Sequence, residues 1–148
     1  FIRHAYAPGS GDPSNFNLND CSTQRNLSEE GRKQAEYIGK FFRDKKIKID
    51  KILSSEWCRC KETAEIAFKD YSTNSFLNSF YSSKFEKNKN KQIDALNNYI
   101  NKFKSNKNLV LITHYVLISE VLNYGPSSGE IVVSDKNFNI IGTIETNY

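Results

Sequence analysis

Two histidines are present in the chain, and each ends an apolar run: His4 in "FIRHA" and His114 in "NLVLITHY". Arg3 sits directly before the first, and Arg59 follows the run "ILSSEWC". An arginine is a permanently charged planar fork that matches the oxygens of a phosphoryl group. A neutral imidazole is a nucleophile able to attack phosphorus. A second imidazole can donate to an equatorial oxygen as charge builds there. Taken singly, a histidine at a strand end is commonly a hydrogen-bonded loop residue, and an arginine in a first helical turn is commonly a surface one. Taken together, Arg3, His4, Arg59 and His114 make an anion site with a nucleophile at its floor. Phosphoryl transfer is the chemistry that uses such a site.

Both histidines must be carried to one place by the elements that precede them. The apolar runs around Ile2, in "KIDKILSS" and in "NLVLIT" read as strands, the last one as a strand covered on both faces. After His4 comes "AYAPGSGDPSNFNLNDCSTQRN", a long Gly-, Pro-, Asn- and Asp-rich loop of the kind that carries function. Ser28 then caps a helix whose buried stripe is Ala35, Ile38, Phe41 and Phe42. A second helix, over "EWCRCKETAEIAFKD", aligns Trp57, Cys60, Ala64 and Ala67. A loop leads to a third helix with Ile93, Leu96, Ile100 and Phe103 on its inner face. "YVLISEVLN" is a fourth helix, and "EIVVSD" with "NIIGTIET" a closing strand pair turning at Lys136–Asn137. Alternation of this kind predicts an α/β fold, a three-layer α/β/α sandwich with a mostly parallel central sheet. In such folds ligands bind at the carboxyl ends of the strands. His4, Ser54–Ser55 and His114 all fall there, and Arg59 lies one turn beyond. The N-terminal end of its helix adds free N–H groups and a dipole that favour an anion.

With 148 residues, 38% of them hydrophobic, the chain is read as one domain over 1–148. Only Phe1 and Ile2 precede Arg3, so the first strand is expected to be truncated. A formal charge of +4 is spread among asparagines and acids, as in "FEKNKNKQIDALNNYINKFKSNKN", which fits solvated helix faces rather than a nucleic-acid stripe. No apolar run has the ~20 residues of a membrane span. Metal hydrolysis would draw on His4 and His114 with Asp12, Asp20 or Glu130. Flanking arginines repel a divalent cation, however, and no i, i+4 histidine pair exists, so neither metal nor cofactor is expected. "APGSGDP" lacks the lysine of a P-loop. Three cysteines leave an odd count, and Cys21 could pair with Cys58 or Cys60 in an oxidising compartment.

The motifs bear a family likeness. "FIRHA" resembles the R-H-G or R-H-A signature of histidine phosphatases in the phosphoglycerate mutase-like superfamily. "NLSEEGRKQAEYIG" is similar to its L-T/S-x-x-G-x-x-Q-A segment, "ILSSEWCRCKETAEIA" to its S-S-x-x-x-R-x-x-x-T-A block, and "LVLITHY" to its T-H-G strand end. The four lie in the family's order, and with "SSGEIVV" they look similar to a bacterial branch, often carrying export signals, that is related to lipopolysaccharide heptose-phosphate phosphatases. The resemblance implies a metal-independent phosphatase acting on a small phosphorylated substrate. His4 would become phosphohistidine, Arg3 and Arg59 would clamp the phosphoryl oxygens, and His114 would complete the pocket. It also implies departures. Asn78 stands where the family's leaving-group acid is sought, which argues against mutase activity and leaves Glu130, Glu86 or Asp12 to serve, with Glu130 favoured. Tyr115 replaces the glycine after the second histidine. A non-catalytic phospho-ligand module that kept the anion pocket is the alternative.

Overall fold

The central strand β4 (Asn108–Thr113) decides the layering, because its successive side chains point to opposite faces. The computed structural model describes residues 1–147. In chain order its elements are β1 (Ile2–Arg3), α1 (Glu29–Asp44), β2 (Ile49–Ser54), α2 (Cys58–Phe68), β3 (Ser72–Thr73), α3 (Ser83–Glu86), α4 (Lys89–Lys102), β4, α5 (Tyr115–Leu122), β5 (Ile131–Ser134) and β6 (Ile140–Ile144). Val110 and Ile112 of β4 pack with Ile38 and Phe42 of α1 and with Cys60, Ala64 and Ala67 of α2. Leu111, between them, packs on the other side with Leu96 and Ile100 of α4 and Leu117 of α5. β2 divides in the same way, Ile52 to the first cluster and Leu53 to the second. Three layers result.

Strand order across the sheet is β3-β2-β4-β1-β5-β6. β3, β2, β4 and β1 run parallel, while β5 and β6 are antiparallel additions. The sheet is thus mostly parallel, as the alternation of strands and helices predicts. β3 has no counterpart in the sequence reading. It is two exposed polar residues, Ser72 and Thr73, hydrogen-bonded to the edge of β2, and no apolar pattern marks it. The same stretch, read as loop, also holds the turn Ser75–Leu77 and the short α3.

Two interactions tie the segment after His4 to this frame. Ser28 caps α1 by accepting from Gly31 N–H at 3.2 Å, and that first turn lies so close to the preceding chain that a Cβ at Gly31 would fall 2.0 Å from the Tyr6 carbonyl oxygen. Only glycine fits there. Gln34, buried on α1, accepts from Tyr6 N–H at 2.9 Å and donates to the carbonyls of Ser128 at 2.7 Å and Thr146 at 2.9 Å. One amide therefore joins the loop after β1 to both ends of the β5–β6 hairpin.

The pairing left open among the cysteines is Cys21 with Cys58, with Cα atoms 5.8 Å apart. Cys58 begins α2, and two residues further round the helix Cys60 faces the core instead, a buried free thiol. Burial pushes that thiol up to about 12, so it stays protonated and unreactive at neutral pH. Thiol titration of the denatured, unreduced protein should find one free cysteine. Reducing the bridge should cost roughly 3–4 kcal/mol of stability, and an unchanged melting temperature after reduction would contradict this.

Candidate active site

Parallel pairing brings the two histidines side by side. Arg3 of β1 is in register with Thr113 of β4, so the residues that follow, His4 and His114, leave adjacent strands at the same level. His4 N–H donates to the Thr113 carbonyl at 3.0 Å. The imidazoles meet edge to face with centroids 5.6 Å apart. On the other side of β4, Ser55 leaves β2 and donates its N–H to the Ile112 carbonyl at 2.9 Å. α2 begins directly afterwards and carries Arg59, 3% exposed, into the same crevice.

Hydrogen bonding fixes where the protons sit. His4 Nδ1 lies 2.8 Å from the carbonyl of Ala5, so Nδ1–H donates and Nε2 keeps the lone pair. Arg59 Nε–H donates to that Nε2 at 3.2 Å. His114 Nε2 lies 2.9 Å from Ser55 Oγ and 3.5 Å from Cys60 Sγ. We assign both as donors to Nε2, which leaves the proton of His114 on Nδ1. That Nδ1 is buried and has no partner, and the same is true of Arg3 Nε. Buried donors are nearly always matched. Arg3 and His114 both line one cavity, so an acceptor oxygen entering it would match the two donors.

Charge follows the same logic. Burial, with Arg59 next in importance, holds both imidazoles well below their ordinary value of 6.5, so both are neutral around pH 7. Burial lowers the Arg3 guanidinium, although Tyr115 opposes the effect. Burial and then Arg59 lower Arg25 in the same way, opposed by Asp12. Crowded cations and neutral bases are what an anion would relieve.

Arg25 was missed by the sequence reading. It comes from the long loop, donates from Nε to the Gly11 carbonyl at 2.8 Å and from Nη1 to the Ala7 carbonyl, and lines the cavity beside Arg3 and Arg59. Nothing periodic marks it, and the loop path alone brings it in. Ser55, the partner of His114, was noted only as a strand end.

The three carboxylates considered as leaving-group acids separate clearly. Asp12 lines the cavity, accepting from Arg59 Nη1 at 2.8 Å, Arg25 N–H at 3.0 Å, Trp57 Nε1 at 3.1 Å and Arg59 Nη2 at 3.4 Å. Glu130 is buried outside the lining, with its carboxylate accepting from Tyr124 Oη–H and from Ser127 N–H at 2.8 Å. It braces the turn whose Pro126 carbonyl accepts from Arg3 Nη1 at 2.9 Å, so its position supports Arg3 rather than a leaving group. Glu86 is exposed on α3 and also lies outside the lining. Asn78 Oδ1 accepts from Glu56 N–H at 2.8 Å and lies 3.2 Å from Ser55 Oγ, whose proton is assigned to His114, so Asn78 braces the β2 turn. The cavity measures about 500 Å³ and includes Tyr115, whose ring lies 5.2 Å from the Arg3 guanidinium carbon.

The sequence model of the histidine phosphatase superfamily (branch 1) matches residues 1–110. The chain belongs to that superfamily. Among solved structures, the protein histidine phosphatase SixA complexed with tungstate is 16% identical with a TM-score of 0.63, covering 97% of this chain and 93% of that one. A SixA protein of Agrobacterium tumefaciens is 19% identical with a TM-score of 0.64, covering 97% and 95%. These likenesses show the histidine phosphatase fold. The mitochondrial serine/threonine-protein phosphatase Pgam5 of Drosophila melanogaster is 39% identical over 54 residues, 36% of this chain and 19% of that protein's length. Among the described residues, no helix is long and apolar enough to cross a membrane.

Neutral buried histidines make the stability of this member of the histidine phosphatase superfamily depend on pH. Both folded-state values lie below the unfolded value near 6.5, so the folded chain binds fewer protons below that pH. Their contribution is complete above about pH 6.5 and is lost as pH falls towards the folded values. Thermal melts should therefore drop on acidification below pH 6.5, and His4→Gln should flatten that slope. An identical slope in the variant would refute the assignment.

Proposed function

We propose that the protein is a metal-independent phosphatase that hydrolyses a phosphomonoester or phosphoramidate through a phosphohistidine on His4. The observation that carries this reading is that His4, whose Nε2 keeps its lone pair against Arg59 Nε–H, lines one cavity with Arg3 and His114, whose Nε and Nδ1 are buried without partners. A phosphoryl group seated there would take hydrogen bonds from Arg3, Arg59 and His114, with Arg25 adding charge. Nε2 attacks phosphorus, the bond from phosphorus to the leaving group breaks, and that group departs with the electron pair. Water then attacks phosphorus, the P–N bond breaks, and inorganic phosphate leaves with His4 neutral again. As charge develops on the equatorial oxygens, the arginines and His114 stabilise it without reorganising.

The one carboxylate on the cavity wall, Asp12, is held by four N–H groups, so the site offers no free acid to the leaving group. This supports substrates whose leaving group needs little protonation, such as aryl phosphates and P–N bonds. The SixA neighbour, a protein histidine phosphatase, is in keeping with that class.

The test is mass spectrometry after acid and base quenching of the protein mixed with a reactive aryl phosphate. An acid-labile, base-stable phosphate adduct on His4 with steady phosphate release is expected, and His4→Ala should lose both. Tight vanadate binding with neither adduct nor turnover would favour a phospho-ligand binding module instead.

Asp12 grips the Nη end of Arg59 and leaves its Nε edge towards His4. Arg59→Lys should cut kcat/KM roughly 10–100-fold, because a point charge cannot replace the fork. Asp12→Asn should also lower kcat/KM, but should add little in the Arg59→Lys background. Fully additive losses would show that Asp12 does not act through Arg59.

A further inference from the structure

A phosphoryl group would fill only the floor of the cavity, and the character of the remaining wall is aromatic. Phe16, Trp57, Phe85, Tyr81 and Tyr115 all line it. Phe16 stacks on Trp57 with centroids 5.0 Å apart and an interplanar angle of 26°. Phe85 stands edge-on to both, at 5.7 Å from Phe16 and 5.4 Å from Trp57. These contacts lock the wall in place, so its shape exists before any ligand arrives. Trp57 is buried, Phe16 and Phe85 are half-buried, and at the rim Tyr81 is 65% and Tyr115 is 44% exposed.

Its distance from the chemistry is short. The Trp57 centroid lies 5.4 Å from that of His114, which lies 5.6 Å from that of His4. A group attached directly, or through one atom, to the transferred phosphoryl therefore reaches the aromatic wall. Beyond the arginines, the histidines and Asp12, the polar side chains of the lining are the hydroxyls of Ser10, Ser14, Ser79 and Ser82, those of Tyr81 and Tyr115 at the rim, and Lys84, whose ammonium lies 5.5 Å from the Phe85 ring centre. No carboxylate or amide side chain of the lining is free to bind the hydroxyls of a polyol, because Asp12 is committed to Arg59, Arg25 and Trp57. Half-exposed rings fixed around an anion floor suit a flat apolar ring, which gains from burial and from edge or offset contacts.

We propose that the Phe16–Trp57–Phe85 wall is a binding subsite for a flat apolar ring carried next to the phosphoryl group, which makes ring-bearing phosphates the preferred substrate class. The proposal rests on the phosphatase reading and adds the shape of the leaving group to it. Benzyl phosphate and n-propyl phosphate are suitable probes, since both release a primary alcohol and differ in the ring, and glucose 6-phosphate supplies a polyol.

For the wild-type protein, kcat/KM for benzyl phosphate should exceed that for propyl phosphate roughly tenfold or more. Phe85→Ala should bring that ratio towards one, and Tyr81→Ala, which sits outside the stacked trio, should lower it in the same direction. Equal rates for benzyl and propyl phosphate, a ratio untouched by both variants, or a preference for glucose 6-phosphate would each overturn the subsite. The phosphatase reading stands or falls on the reactive aryl phosphate; if that is turned over and none of these three alkyl esters is, their leaving groups lack the proton that the site does not supply. Calorimetric binding of benzylphosphonate against methylphosphonate then decides the subsite by the same ratio.

Discussion

Arg59 is the interaction on which the rest of the site depends. Its guanidinium is buried between the lone pair of His4 at one edge and the carboxylate of Asp12 at the end. A buried cation without a partner would be strongly unfavourable, and a buried cation fully satisfied by partners would be useless to a substrate. Asp12 supplies the counter-charge at one end, while the edge facing His4 makes a weaker contact at 3.2 Å that an oxyanion can replace. Stability and receptivity are thereby divided between two edges of one planar group, which a lysine could not do.

That division requires a loop to reach back over the strand ends, and the fold provides several restraints on it. The Cys21–Cys58 bridge fastens the loop to the first residue of α2, one position before Arg59. Arg25 donates into the Gly11 and Ala7 carbonyls of the same loop, and Gln24 Oε1 accepts from Cys58 N–H at 2.9 Å. Close packing of Gly31 on Tyr6 fixes the loop's far end. Asp12 and Arg25 are thus held by backbone contacts and a covalent bond, in the absence of any regular element across Ala5–Leu27 beyond one short turn at Cys21–Thr23. Long loops are ordinarily the least restrained part of a domain. Here the loop forms one wall of the site.

Much of this was legible in the sequence, and the line between what was and was not is physical. His4, Arg59 and His114 follow apolar runs of strand or helix period, so topology alone carries them to one sheet edge. Trp57, Cys60, Ala64 and Ala67 showed their face by spacing, and all four lie in one core cluster. Arg25 and the role of Asp12 were not legible, because a loop has no period and its path is set by contacts distant in sequence, such as Asp12 with Trp57. Glu130 misled for the same reason. Its strand start was read at the correct edge, but the turn Tyr124–Ser127 folds over the carboxylate and takes it out of the cavity. β3 escaped because an edge strand of two polar residues is defined by hydrogen bonds to its neighbour and by nothing in its own composition.

Neutrality of the two histidines ties the site's electrostatics to its chemistry. Packing two imidazoles at 5.6 Å beside three arginines would be self-repelling if either were protonated, so burial and the arginines together enforce the base form. The base form is the nucleophile, and the same arginines that deprotonate it are the groups that would bind its target. An incoming phosphoryl anion lowers the cost of holding the cations together while meeting a lone pair already stripped of its proton. A carboxylic acid added for the leaving group would share this pocket with Arg3, Arg25 and Arg59, and their field would ionise it. An arginine-rich floor and a strong proton donor are therefore in conflict. This chain resolves the conflict by keeping the arginines and binding its one wall carboxylate, Asp12, as their partner.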